Sequence, residues 1–253
     1  MGSIIIIGGG VCGLAGALLL ARDGHDVTVL ERDAAAVPET LEEAWERWER
    51  GGVAQFRQAH LLHARAREVL DQLPDVRDAL LAAGATRLNP LARLPPPITD
   101  REPRPGDERM TSITARRPVV EYVFGRAAAT EPRVDVRRGV AVAGLVAAPV
   151  DGRPHVTGVR TVAGEELRAD LVVEATGRGS KLPQWLAAAG SEPVSEEAAD
   201  GGFIYYTRFF RGDARPEPRA PFLSPLGTSR CSRSPATATR GRSPRSSPRA
   251  TGR

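Results

Sequence analysis

The sequence predicts an α/β fold: a parallel sheet covered by helices, followed by the start of a second, β-rich unit. Three observations carry this. Residues 3–7 are Ser and four isoleucines, a β-branched run suited to a strand buried on both faces of a parallel sheet. The glycine cluster Gly8-Gly9-Gly10-Val11-Cys12-Gly13 ends that run and opens a helical pattern, with Leu14, Leu18 and Leu19 among alanines. A second strand, Asp26–Leu30, closes at Glu31, so a strand-turn-helix-strand unit is complete within about thirty residues.

The remaining elements follow in order. Residues 39–51 are charged and carry Trp45 and Trp48, which suits a short surface helix. Residues 58–84 read as helical through Leu61, Leu62, Ala66, Val69, Leu70, Leu80 and Leu81, with Pro74 starting a second helix. Residues 89–107 are proline-rich loop. Pro118 opens a helix over 119–129, and short strands at 134–136 and 140–146 come next. A meander then runs from Val156 to Val162, turns at Ala163-Gly164-Glu165, and leads through Glu166–Ala169 into the apolar strand 170–174. Residues 183–190 form a short helix ended by Gly190, and the aromatic run 203–210 starts another strand.

Composition narrows the function classes. The 253 residues suit one α/β domain or slightly more, and 41% apolar with 26% charged residues excludes a wholly disordered chain. Cys12 and Cys231 alone cannot make a disulfide scaffold or a cysteine-rich zinc module, and so few cysteines point to a reducing cytoplasm. The first apolar run has no basic segment before it, no cleavage site after it and a glycine cluster inside it, so neither a signal peptide nor a membrane span is expected. The net charge of +4 is unevenly spread: Ser229–Arg253 carries seven arginines and no acid, which leaves residues 1–228 at −3. No specific nucleic-acid partner is therefore read from the basic balance.

The chemistry begins at Gly8-x-Gly10-x-x-Gly13. In a Rossmann-like turn the first glycine permits the sharp exit from the strand. The second lets backbone approach a pyrophosphate, and the third lets the helix pack close to the sheet. The helix start, Val11 and Cys12 included, offers unpaired N–H groups and a positive dipole end to phosphate. Glu31, 18 residues past Gly13, stands where a carboxylate can accept bonds from both ribose hydroxyls; Arg32 beside it leaves a 2′-phosphate as the lesser alternative. This turn alone does not separate FAD from NAD.

The separation comes from Ala169-Asp170-Leu171-Val172-Val173-Glu174-Ala175-Thr176-Gly177. With the glycine turn, it resembles the FAD-dependent monooxygenases of the aromatic-hydroxylase type and the related geranylgeranyl-reductase-like oxidoreductases. The resemblance is close in the two glycine motifs and loose over 3–226. It implies a Rossmann-like FAD-binding domain of the glutathione-reductase type. It also implies that Thr176 and Gly177 pass close to the cofactor, that Arg117 in Arg116-Arg117-Pro118 contacts its flavin side, and that backbone near Val140 holds adenine. Gln58 and His60, with Arg57, are placed on the approach to the flavin. His60 and His63 lack metal-spaced partners, so no metal is expected. No residue reads as a catalytic acid, base or nucleophile.

Three segments are expected: an FAD-binding domain at 1–202 with a helical and proline-rich insertion at about 39–115, the start of a substrate-domain sheet at 203–228, and an Arg/Ser/Pro-rich disordered tail at 229–253. The family's downstream Gly-Asp motif is not found before the tail. Back-translated with GC-rich codons and read one nucleotide early, residues 228–244 yield two strand-like runs around a Gly-Asp turn, so a frameshift near Gly227 that truncates a longer flavoprotein is the expected origin of the tail. The implied activity is monooxygenation of a small organic substrate through a flavin hydroperoxide, with NADPH or NADH as candidate electron donors, in a chain that lacks part of the enzyme. Reduction or dehydrogenation of a lipid-like substrate and an inactive nucleotide-binding remnant stay open as alternatives, as does the oligomeric state.

Overall fold

Four consecutive isoleucines divide between two cores. The computed structural model describes residues 1–53, 55–94, 96–199 and 206–210, with the backbone of 223–226 and 229–232. Its central strand is β1 (Ser3–Ile7). Ile4 and Ile6 pack with Leu14, Ala17 and Leu18 of α1 (Val11–Arg22), while Ile5 and Ile7 pack on the opposite face with Leu30, Val159 and Ala169. Strand side chains alternate between faces, so a strand with no polar position needs a layer on both sides. Each isoleucine buried this way contributes about 1.5–3 kcal/mol.

β2 (Asp26–Glu31) runs parallel to β1. The chain then leaves the sheet through α2 (Leu41–Glu46), whose start is fixed by a reciprocal capping box between Thr40 and Glu43. The insertion continues with β3 (Ala59–Leu62), α3 (Ala66–Gln72), α4 (Pro74–Ala82), β4 (Thr86–Leu88) and β5 (Ser112–Arg116). β5 passes directly into α5 (Arg117–Thr130), which has proline in its first turn. Val119, Val120, Val123, Phe124 and Ala128 of α5 join the α1 side of the core.

β6 (Val134–Arg138) returns to the sheet beside β2. An antiparallel meander of β7 (Val142–Val150), β8 (Arg153–Thr161) and β9 (Glu166–Arg168) covers the second face through Val159 and Ala169. β10 (Leu171–Glu174) then lies parallel to β1 on its other side. The four parallel strands stand in the order β10-β1-β2-β6. The result is three layers: helices, parallel sheet and meander. The short helix α6 (Leu182–Ala188) sets Trp185 against the meander-side core.

The insertion differs from the expected helices and loop. Residues 59–62 are strand, and β3, β5 and β4 form a separate antiparallel sheet in that order. His60-Leu61-Leu62 is too short to reveal its period, and what makes it a strand is pairing with a partner more than fifty residues away. All five residues of β5 are buried, polar ones included, so it never shows the alternation of a half-exposed strand. Tyr206–Phe210 has no regular structure, whereas 203–205 lies outside the described residues. Backbone pairing joins β11 (Leu223–Leu226) antiparallel to β12 (Ser229–Ser232), so the first four residues of the expected disordered tail are in a strand pair. Residues 233–253 lie outside the described set.

The turn between β1 and α1 depends on glycine for two reasons. Gly8 has φ +107°, and a Cβ there would stand 2.8 Å from the carbonyl oxygen of Ala175. A Cβ on Gly13 would stand 1.9 Å from the carbonyl oxygen of Gly8. A Cβ on Gly10 would meet nothing within 4 Å. Gly13→Ala is therefore expected to cost about 1–3 kcal/mol or more through forced separation of helix and strand. Gly10→Ala should cost less than about 1 kcal/mol. Urea unfolding of the two variants without ligand checks the contrast.

Candidate functional site

The four parallel strands end at one edge, and β1 sits between β10 and β2, so the chain diverges to both sides of it. Such a switch point leaves a crevice beyond the carboxyl ends of the strands. The β1–α1 turn stands at this edge, with Gly8 and Gly10 partly exposed, Cys12 exposed, and Val11 and Gly13 buried beneath it. Gly10 is the N-cap of α1 and supplies no side-chain cap, so first-turn N–H groups face the crevice without a side-chain acceptor. Cys12 is exposed at the second helical position.

Thr176 and Gly177 follow β10 and come up beside the turn: the amide nitrogen of Thr176 would be 3.1 Å from a Cβ on Gly8. Gly177 has φ +75°, which lets the chain fold back there. Val140 stands on the other side, its N–H donating to the carbonyl of Glu31 at 3.0 Å. The glycine turn, Glu31, Val140 and the Thr176-Gly177 corner are thus brought to one edge. Arg32 is exposed, with its guanidinium beside Gly52, and joins no hydrogen bond with Glu31.

Glu31 is buried and already engaged. Its Oε2 accepts from the N–H of Gly9 at 2.9 Å and from Arg50 Nη2 at 2.7 Å, and its Oε1 accepts from the N–H of Asp33 at 2.9 Å. A carboxylate offers about four lone-pair sites, so one remains for a ribose hydroxyl, against the two expected.

Arg50 is the residue that sequence reading missed. It lies in the charged stretch taken for a surface helix, yet its side chain is only 1% exposed. Its Nε donates to Asp33 at 3.1 Å, Nη1 to Glu121 at 3.1 Å, and Nη2 to the carbonyl of Gly9 at 3.2 Å as well as to Glu31. Glu121 is fully buried and binds Arg117 through Nε at 2.7 Å and Nη2 at 2.6 Å. Arg117, expected on the flavin side, is therefore linked to the glycine turn through two intervening side chains. The one local signal was the i,i+4 spacing of Arg117, just ahead of the predicted helix, and Glu121 within it.

Arg138 ends β6 in register with Glu31. Burial, and then the charge of Arg50, push its guanidinium below the usual range, while Glu31, Glu121 and Asp33 oppose the shift. Arg50, Arg117 and Arg138 against Glu31, Asp33 and Glu121 leave the group without net charge. Arg138 Nη1 is buried without a hydrogen-bond partner among the described residues.

His60, on β3, receives Arg117 Nη1 at its Nε2, 3.1 Å away. Arginine can only donate, so Nε2 is the acceptor and the ring is neutral with its proton on Nδ1. Burial first, then the charges of Arg117 and His63, lower its pKa to about 4. Gln58 accepts the N–H of Arg117 at its own carbonyl, at 3.0 Å, and its side chain accepts a bond from Thr207. Arg57 turns away to the backbone of Trp45 and Trp48. A separate cavity of about 330 Å³ between α3, α4 and β5 has Arg67 and Arg77 already bridged to Asp71. Among the described residues no group of three or more His, Cys, Asp or Glu could hold a metal, and no helix is long and apolar enough to cross a membrane.

This edge suits a dinucleotide with a charged middle: open space over Gly10, uncapped helix N–H groups, a ribose-height carboxylate and an unfilled donor on Arg138. The chain belongs to the FAD binding domain family, whose model matches residues 2–196, and FAD is the cofactor of that family. It is 28% identical over 235 residues to "Protein Rv3254" of Mycobacterium tuberculosis, covering 82% of this chain and 44% of that protein. Its fold is similar to that of PqsL from Pseudomonas aeruginosa, titled a probable FAD-dependent monooxygenase, with TM-score 0.51, 19% identity, and 78% of this chain against 47% of that one. A multiply substituted form of PqsL gives TM-score 0.52 at the same identity, over 78% of this chain and 48% of that one. The chain thus spans less than half the length of these relatives.

Two outcomes are expected. Arg50→Met leaves three buried or half-buried carboxylates short of their shared partner and should cost about 3–5 kcal/mol in urea unfolding without ligand. His60 has a folded pKa below its ordinary 6.5, so the folded state binds fewer protons. Its contribution is complete above pH 6.5 and is lost as pH falls toward 4. Lowering the pH from 7 to 4 should cost the parent chain up to about 3 kcal/mol more than it costs His60→Gln.

Proposed function

We propose that this chain is the FAD-binding part of a FAD-dependent oxidoreductase, and that the parent reaction is monooxygenation of a small organic substrate. The observation that carries the reading is the convergence at one sheet edge of the glycine turn, Glu31 and the Thr176-Gly177 corner, with Arg117 tied into the same edge through Arg50 and Glu121. The family membership supports FAD, and the monooxygenase fold of PqsL supports the reaction class.

In this reading the α1 start and Gly10 hold the pyrophosphate, Glu31 accepts one ribose hydroxyl, and backbone near Val140 borders adenine. Arg117 stands on the flavin side, with neutral His60 as its acceptor. When bound, FAD supplies the electron transfer and oxygen activation. The chain's own residues bind and orient it. Arg117 supplies fixed positive charge, and His60 stays neutral, with Nε2 as acceptor, well below neutral pH. NADPH or NADH would serve as electron donor.

FAD titration followed by quenching of flavin fluorescence tests the reading. The parent chain should bind FAD, and Gly10→Val should weaken binding at least about a hundredfold by filling the phosphate space, with the fold retained by circular dichroism. Equal affinity in the two proteins would remove the turn from the site.

A further inference from the structure

We propose that Glu121 is a positioning residue for the cofactor: one carboxylate that sets Arg50 against the adenosine-side turn and Arg117 on the flavin side. The proposal rests on the FAD reading of the edge and names a residue that reading does not use. Glu121 is 0% exposed and stands on α5 among buried residues that are otherwise apolar or small, Val119, Val120, Val123 and Phe124 included. A lone carboxylate there would be strongly unfavourable, and even a well-paired one adds little stability over an apolar side chain of similar size. The apolar packing of α5 does not itself call for a carboxylate there; what calls for it is the pair of arginines it meets.

Its geometry does give it one. The two oxygens face different arginines: Oε2 takes Arg50 Nη1 at 3.1 Å, and Oε1 takes Arg117 Nε and Nη2 at 2.7 and 2.6 Å. Arg50 goes on to the Gly9 carbonyl, Glu31 and Asp33, all at the β1 and β2 ends. Arg117 goes on to His60 on β3. Guanidinium carries five N–H donors, so these bonds leave two on half-buried Arg117 for a ligand. Arg50, 1% exposed, acts instead through Gly9 and Glu31, which it holds at the turn while Glu121 holds its opposite side. The two halves of the site are then coupled through a single buried group.

Titration with ADP and with FAD separates this from a structural role. ADP reports the adenosine half alone. Arg117→Gln should weaken FAD about tenfold and leave ADP unchanged. Glu121→Gln should weaken FAD about tenfold or more and ADP several-fold, because it frees Arg117 from its carboxylate and weakens the hold on one side of Arg50. The double variant Glu121→Gln/Arg117→Gln should bind FAD no worse than about threefold below the weaker single. Glu121→Asp, which keeps the charge but withdraws it by one methylene, serves if Glu121→Gln does not fold, and should weaken both ligands several-fold. Unchanged ADP affinity in the Glu121 variants, or losses for FAD that multiply in the double variant, would overturn the coupling while FAD binding by the parent chain stands. A parent chain that binds neither ADP nor FAD would overturn the FAD reading, and this proposal with it.

Discussion

The guanidinium of Arg50 holds the carboxyl edge of the sheet together. It is sealed from solvent and touches the ends of β1 and β2 and the second turn of α5. A buried arginine is tolerable only with its donors met and its charge balanced. That requirement fixes where Glu31, Asp33 and Glu121 must stand, and so how the loop after α2 crosses the strand ends. The positions of the glycine turn and of the α5 start follow from the same bonds.

Close backbone approach imposes the second constraint. α1 can lean on β1 only because Gly13 presents no Cβ to the Gly8 carbonyl, and β10 can draw up to the turn only because Gly8 presents none to Ala175. These contacts hold strand, helix and returning strand around the space over Gly10. Burial of the four isoleucines on two faces then makes the frame rigid. The open volume is left where backbone donors and a carboxylate converge, as an anionic dinucleotide requires.

What the sequence disclosed follows the range of the interactions. The β1–α1–β2 unit, the Pro118 helix and the meander were legible because local periodicity and turn residues determine them. That Glu31, Val140 and the Thr176-Gly177 corner stand at one sheet edge was legible because they sit at fixed offsets from those elements. β3 and β5 were not, since each becomes a strand through a distant partner and neither alternates. Arg50 and Glu121 were hidden for the same reason: 71 residues separate them, and a charged stretch gives no sign that one of its arginines is sealed inside. The prior engagement of Glu31 was not legible, because the three donors of this chain that reach its carboxylate come from the glycine turn, Asp33 and Arg50.

Amide hydrogen exchange of the whole chain with and without FAD measures the central claim most directly, because it locates the ligand on the backbone. The account predicts slowed exchange at residues 9–14, 138–141, 175–178 and 116–118 together, with little change in the distant cavity between α3 and α4. Binding that protects that cavity or α6 and leaves the glycine turn unaltered would contradict it.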